Sequence, residues 1–444
     1  MKEIIHSPNI NILWAQLIVE ELIRQGVDYF HIAPGSRSAP LAIAVAGNPR
    51  AKTLVHYDER GLGFHALGYT SATGKPAAII TTSGTAVANL FPAVIETFKK
   101  KLPLIILTAD RPPELRYTGA NQTIDQVGIF GKYVRFQLDL CCPTSEISPE
   151  SILTTIDQLV HQSQANPPGP VHLNCMFREP LAPMKQKGFS AGYFRNLKKW
   201  LSSNEPYTRY VRTVGKFISH ENRNVVSVLE EIKNGIIVVG KIKKEESAAV
   251  LRLAKRLNWP VFPDITSSLR LGNSSSHVIP YFAQIIAHPK FKKGAQIDGV
   301  LHLGGRITTR RWYDWVEEHR PQHYITVLNH PLRNDPSHVV NLRVQSPTGE
   351  FCQAVTGQLK SRKAQKFLKH CQNLSQRAGQ SIDQFLAKQS FLTEPQVVQA
   401  VSDLIPENSG LFLGNSLPIR EMDLFAHSNG NDVIVGANRG ASGI

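Results

Sequence analysis

No run among the 444 residues approaches the roughly 20 consecutive apolar positions that a membrane-spanning helix needs. Nor does the start read as a secretory signal: Met1 to Gly26 reads as an amphipathic helix, with Trp14, Leu17, Ile18 and Leu22 on one side and Glu20, Glu21 and Arg24 interleaved, where a signal peptide has an unbroken apolar core. A cytoplasmic protein with no membrane partner is expected. Cysteine is scarce, five residues (Cys141, Cys142, Cys175, Cys352, Cys371) with no C-x-x-C spacing. That excludes a disulfide framework and a cysteine-held metal, and leaves buried reduced thiols. Acidic residues number 35 against 50 Lys and Arg, a net charge of +15. The excess is spread through Lys185 to Lys255 and Lys360 to Arg377 without interleaved aromatics, helix-turn-helix or zinc-finger spacing, so it reads as a solvated basic surface rather than a nucleic-acid site. Anionic small substrates are compatible with it. The pair Gly304-Gly305, after the strand-like Gly299 to Leu303, lacks the third glycine of G-x-G-x-x-G and reads as close helix-to-sheet packing.

What is present is alternation. The hydrophobic fraction of 42% and charged fraction of 19% are those of a globular protein, and the length suggests two to four domains. Tyr29 to Ile32, Thr53 to His56, Ala77 to Thr81 and Leu104 to Thr108 read as strands, with helical patterning over Pro40 to Ala46, Gly61 to Tyr69 and Ala86 to Phe98. This predicts an α/β fold of parallel-sheet layers covered by helices. The first domain closes with a strand in Pro167 to Cys175 and exits through Glu179 to Pro183; a basic connector runs over 184–224. A second unit, 225–378, has strands at Gly235 to Gly240, Pro260 to Pro263, Gly299 to Leu303 and Tyr324 to Leu328. A third, 379–444, opens on the helix Glu394 to Leu404 with an apolar stripe of Val397, Val398, Val401 and Leu404, then strands at Leu411 to Leu413 and Val433 to Val435. So few elements cannot bury both faces of a sheet, so this last unit is expected to pack on another chain or to be incomplete.

Three loops draw the candidate site: A-P-G-S-R-S (Ala33 to Ser38), H-Y-D-E-R-G-L-G (His56 to Gly63) and T-T-S-G-T-A-V-A-N (Thr81 to Asn89). Each follows a strand and precedes a helix, which places all three at the carboxyl edge of a parallel sheet, where such sheets bind ligands. Glu59 is a carboxylate set to exchange a proton with a ligand, or else an exposed capping acid. T-S-G-T offers backbone N–H groups and hydroxyls to a polar ligand, or else a plain cap through Ser83 or Thr85. Arg37, Arg111, Arg420 and Arg439 recur at predicted edge loops; singly each suits a surface ion pair, together they suit a substrate with several carboxylates.

I-A-P-G-S-R-S-x-P-L, H-x-D-E-R-G-L-G-F-x-A-L-G, T-T-S-G-T-A-V-A-N-L, L-T-A-D-R-P-P-E-L, G-A-N-Q-T-I-x-Q, G-P-V-H-L-N-C-x-F-x-E-P-L, G-N-S-L-P-I-R and A-N-R-G-A-S-G-I together resemble the 2-succinyl-5-enolpyruvyl-6-hydroxy-3-cyclohexene-1-carboxylate synthases of menaquinone biosynthesis, a thiamine-diphosphate-dependent family. The likeness runs from Asn11 to Ile444. It implies successive three-layer domains of the thiamine-diphosphate-enzyme type: a pyrimidine-binding domain at 1–183, a central domain, and the start of a pyrophosphate-binding domain at 379–444, the last truncated. It also implies a homo-oligomer, dimer or tetramer, with the active site at an interface.

The activity implied is decarboxylation of 2-oxoglutarate and conjugate addition of the succinyl unit to isochorismate. Glu59 matches the glutamate that bonds the cofactor's aminopyrimidine ring. Pro34, Gly35, Gly84, Thr85, Asn89, Gly414 and Ser416 match cofactor-binding positions. Ser36, Arg37, Arg111, Asn121, Gln122, Ser416, Arg420 and Arg439 match positions that contact substrate, as does Arg310, which stands where a lysine is common. The family holds Mg²⁺ through Gly-Asp and Asn-Asn dipeptides. Neither occurs in this chain, so its metal ligands are expected beyond Ile444, with weak cofactor binding and little turnover by the chain alone. A second chain supplying the missing C-terminal part is the other partner expected. Two alternatives stand beside this reading: an acetolactate-synthase-like carboligase, and a non-catalytic subunit or fragment that pairs with a complete chain.

Overall fold

A computed structural model describes residues 2–186, 189, 191–210, 219–272, 275–289, 291, 296–362 and 366–442. The chain divides into two compact units, Met1–Thr213 with Arg439–Ser442, and Val214–Asn438 with Gly443–Ile444.

The first unit is built on six strands, β1 Tyr29–Ile32, β2 Lys52–Val55, β3 Ala77–Thr81, β4 Leu104–Asp110, β5 Gln137–Leu140 and β6 Pro170–Met176. They lie in the order β2-β1-β3-β4-β6-β5 and every pairing is parallel. Every residue of β3, β4 and β6 is buried, as expected of strands covered on both faces, whereas β2 is a largely exposed edge. Because all pairings are parallel, the loops after β1, β2, β3 and β4 emerge at one edge, as the alternation predicts.

The N-terminal helix differs from the expected amphipathic one. Ile10–Arg24 is capped by Asn9, whose side chain accepts from the Ile12 N–H at 3.0 Å, and its buried residues include Glu20 and Glu21 as well as the apolar set. Its polar face is covered because the acids find partners inside. Glu20 pairs with Arg24 at 2.8 Å and accepts from Asn48 at 2.9 Å; Glu21 accepts from the Trp200 indole and the Tyr207 N–H, and Asp157 accepts from the Thr208 N–H at 2.7 Å. These bonds dock much of the expected connector: Phe194, Leu197 and Trp200 belong to the first unit's core. Burial, with the Asp157 carboxyl beside it, pushes Glu21 up to about 8.

The second unit carries β7 Gly235–Val239, β8 Val261–Pro263, β9 Gly299–Leu303, β10 His323–Leu328 and β11 Leu342–Gln345, a parallel sheet in the order β11-β10-β9-β7-β8. Gly304 and Gly305 pack turn against turn rather than helix against sheet, the Gly305 N–H donating to the Lys241 carbonyl at 3.0 Å. Two more strands, β12 Ser409–Leu413 and β13 Val433–Ala437, form a separate parallel pair. The helix Glu394–Leu404 lies where expected, yet of its stripe only Val398 is buried; Val397 and Val401 are exposed and Leu404 is 80% exposed. Val398 and Ser402 are the buried residues of this helix. Four of the five cysteines are buried; Cys141 is exposed, against expectation.

Three buried histidines make stability pH-dependent. Burial holds His31, His172 and His302 down to about 4, with His65 adding to the effect at His31. A histidine lowered from 6.5 on folding stabilises fully above 6.5 and loses that contribution as pH falls toward 4. The melting temperature is therefore expected to drop by roughly 5 °C or more between pH 6.5 and pH 4, measurable by circular dichroism. A flat profile over that interval contradicts the assignment.

Candidate active site

At the carboxyl edge of the first sheet the loop after β1 comes closest to its neighbour. Gly35 is extended, and a Cβ built on it would stand 2.3 Å from the Thr82 Cβ, so only glycine lets this loop approach the end of β3. The turn Ser36–Ser38 follows, with the Ser38 hydroxyl donating to the Gly35 carbonyl at 3.0 Å. Arg37 is buried; it donates to the Phe177 carbonyl at 2.8 Å and meets Glu179 at 3.3 Å. Burial, and then the positive charge of Arg111, hold its guanidinium below the usual arginine range. Two like charges share this edge, an arrangement that an anion relieves.

Glu59 is the first residue of the helix Glu59–Thr73, whose cap is Asp58, accepting from the Gly61 N–H at 2.9 Å. The capping reading of Glu59 therefore passes to its neighbour. Glu59 is half-buried, and among the described residues its carboxylate makes no hydrogen bond or ion pair. Beside it Val55 and Tyr57 are 65% and 92% exposed.

After β3 neither Ser83 nor Thr85 caps the next helix. Gly84 takes that position at φ +83°, ψ −148°, with no side-chain cap, in a backbone region essentially restricted to glycine. The Ser83 hydroxyl is engaged elsewhere, donating to the Gln122 carbonyl at 3.0 Å, while the Gln122 side chain donates to the Ser83 carbonyl at 2.8 Å. Arg111 donates to the Asn121 carbonyl from Nε at 3.2 Å and from its terminal nitrogen at 3.0 Å. Gly35, Arg37, Gly84, Arg111, Asn121 and Gln122 are thus linked through the ends of β1, β3 and β4; Pro34 and Ser36 are exposed on the segment after β1, and Thr85 and Asn89 on the short helix Thr85–Asn89 after Gly84.

The remaining expected residues are on other segments, each described within its own unit. Arg439, in the segment assigned to the first unit, precedes Gly440, whose N–H donates to the buried Glu96 carboxylate at 2.7 Å. In the second unit Gly414 and Ser416 are exposed, Ser416 at φ +70°, and Arg420 sits within the helix Leu417–Phe425 rather than in a loop. Arg310 begins the helix Arg310–His319 with its side chain 91% exposed, pairing with Asp314 at 3.4 Å.

Residues that pattern reading passed over lie directly behind the cluster: Asp110, Gln126, Asp139 and Asn174. For Asp110, Asp139 and Asn174 the signal is polarity at strand positions that should be apolar, as in V-H-L-N-C of β6; Gln126 lies outside the strands. The cluster suits a small polar organic group, since the hydroxyls of Thr81 and Thr82 and Nε of Arg37 are buried without a partner and buried polar atoms are normally satisfied. Among the described residues no three His, Cys, Asp or Glu side chains are grouped to hold a metal ion, and no helix is long and apolar enough to cross a membrane.

Residues 14–129 match the family described as thiamine pyrophosphate enzyme, N-terminal TPP binding domain, and residues 191–413 match the middle domain of thiamine pyrophosphate enzymes. The chain is 44% identical to 2-succinyl-5-enolpyruvyl-6-hydroxy-3-cyclohexene-1-carboxylate synthase of Rubrobacter xylanophilus, over 99% of this chain and 75% of that protein. It is 39% identical to the synthase of the same name from Salinibacter ruber, over 99% and 75%. With the chloroplastic protein PHYLLO of Arabidopsis thaliana it shares 40% identity over 98% of this chain and 27% of that much longer protein. The chain belongs to the 2-succinyl-5-enolpyruvyl-6-hydroxy-3-cyclohexene-1-carboxylate synthase family of thiamine-diphosphate-dependent, C–C bond-forming enzymes.

Proposed function

We propose that the protein decarboxylates 2-oxoglutarate and adds the succinyl unit to isochorismate, giving 2-succinyl-5-enolpyruvyl-6-hydroxy-3-cyclohexene-1-carboxylate. The observation that carries this reading is the Glu59 carboxylate, without a hydrogen-bond or ion-pair partner among the described residues, on the same sheet edge as Arg37 and Arg111, whose charges interact. Thiamine diphosphate, bound with Mg²⁺, supplies the electron sink for loss of CO₂ and the nucleophilic carbon for transfer. Glu59 holds a proton against a ring nitrogen of the cofactor and sets which tautomer is present. Pro34, Gly35, Gly84, Thr85, Asn89, Gly414 and Ser416 contact the cofactor. Arg37 and Arg111 fork onto substrate carboxylates, which relieves the repulsion between them; Ser36, Asn121, Gln122, Arg310, Ser416, Arg420 and Arg439 complete the substrate contacts. Both substrates are dicarboxylates, which suits several guanidinium groups. The exposed Val55 and Tyr57 beside Glu59 support a second copy covering this edge, with the site at the interface.

The test is donor choice. Holoenzyme in which a second chain supplies the Gly-Asp and Asn-Asn dipeptides absent from this one, given Mg²⁺, thiamine diphosphate and isochorismate, is expected to release CO₂ and form the adduct from 2-oxoglutarate, followed by mass spectrometry. Turnover of pyruvate at a comparable or higher rate would favour an acetolactate-type carboligase and overturn the assignment.

A further inference from the structure

Behind the cluster, at the inner ends of β4 and β6, lies a chain of buried side-chain bonds whose direction is fixed by the groups at its ends. The Gly84 N–H is an obligate donor, so the oxygen of the Gln126 side chain accepts it, at 3.2 Å. The Ala109 carbonyl is an obligate acceptor, so the Gln126 side-chain nitrogen donates to it, at 2.9 Å. The second proton of that nitrogen meets Oδ1 of Asn174 at 2.7 Å. The Asn174 nitrogen then donates to Asp110 at 2.9 Å and to Asp139 at 2.8 Å, two carboxylates joined by Arg116 at 3.1 Å each. The other oxygen of Asp110 accepts the backbone N–H of Arg111 at 2.7 Å.

Thr108 completes the pattern. Its hydroxyl donates to Oδ1 of Asn174 at 2.9 Å, so it must accept from His172 Nε2 at 2.7 Å. His172 is held neutral by burial and carries its proton on Nε2. Gln126 and Asn174 are each 1% exposed, and every polar atom of both side chains is used. Neither amide can flip without setting donor against donor, so the relay has one arrangement.

We infer that Gln126 is a positioning residue: it fixes the Ser83–Gly84 turn against the backbone of β4, and through Asn174 and Asp110 sets the distance between that turn and Arg111. Gly84 sits at a dihedral pair that folding alone does not favour. Its N–H bond to Gln126, together with the paired bonds between Ser83 and Gln122, holds it there. The turn offers its outer face to the ligand because its inner face is occupied by this relay. The inference rests on the proposed function for what the turn binds, and on hydrogen bonds alone for how the turn is held.

The test uses two variants and two readouts. In Gln126→Met, hydrogen exchange of the Gly84 amide in the protein without cofactor is expected to speed up about tenfold or more. In the holoenzyme the Kd for thiamine diphosphate and the KM for 2-oxoglutarate are each expected to rise about tenfold, with kcat changed less, at a temperature where the variant is folded. Gln126→Glu preserves shape and keeps the acceptor for Gly84, but its second oxygen faces two acceptors and fits only when protonated. Its cofactor affinity is therefore expected to improve as pH falls from 8 to 6 by more than that of the unsubstituted protein. Unchanged Gly84 exchange in both variants, or affinities that stay constant while only the melting temperature falls, would overturn the inference. If Gly84 exchange responds and the unsubstituted holoenzyme does not bind thiamine diphosphate, the positioning stands and the proposed function fails.

Discussion

Glu59→Gln is expected to lower kcat by about a hundredfold or more, the scale of a positioned acid–base group, while the melting temperature moves by no more than about 1 °C. The two halves of this expectation come from one structural fact. The Glu59 carboxylate is half-buried at the first position of its helix, and Asp58 does the capping, so the fold asks nothing of it. Glutamine keeps the length and hydrogen-bonding capacity of the side chain but cannot exchange a proton, so cofactor Kd should change by less than kcat. Steady-state kinetics and a thermal melt on the same preparation decide it. A variant with near-normal kcat would remove Glu59 from the mechanism, whereas a large fall in melting temperature would return it to a structural role.

Gly35→Ala is expected to weaken thiamine diphosphate binding by about tenfold or more and to cost about 1–3 kcal/mol of stability, the usual cost of forcing an extra carbon into a packed site. The added Cβ meets the Thr82 Cβ at 2.3 Å. That atom is fixed by the backbone at the end of β3, and no rotamer of Thr82 moves it away. Either the loop at Ala33–Ser38 or the turn at Thr82–Gly84 must shift, and both belong to the proposed cofactor site. Gly35 itself is in extended backbone, so dihedral strain plays no part. Calorimetric titration and denaturant unfolding measure the two effects; unchanged affinity would show that the approach of the loops is incidental to binding.

The sheet edge was legible because α/β alternation is a strong periodic signal: β1 and β3 have the expected limits, and β4 differs only in running on to Asp110. Three features were not legible, for separate reasons. The helix Ile10–Arg24 reads as amphipathic because letters do not reveal that Glu21 will meet Trp200 and Tyr207, 179 and 186 positions away. Strands β5 and β11 are short and mixed in polarity, and period alone does not separate such edge strands from loops. Gln126 and Asn174 escaped because a single buried amide has no periodicity; only the meeting of β4 and β6 shows what it joins. The loop arginines Arg37, Arg111, Arg420 and Arg439 form a set by residue type and predicted loop position, and letters do not show their settings: Arg37 and Arg111 have charges that interact, whereas Arg420 is within a helix.

The most direct test of the central claim, that the carboxyl edge of the first sheet is the cofactor's aminopyrimidine and substrate site, is hydrogen exchange by mass spectrometry with and without saturating thiamine diphosphate and Mg²⁺. The account predicts new protection in peptides spanning Ala33–Ser38, His56–Gly63 and Ser83–Asn89, lost in Gly35→Ala. Protection confined to the loops after β7 and β9 in the second unit, or none in the three peptides at saturation, would contradict it.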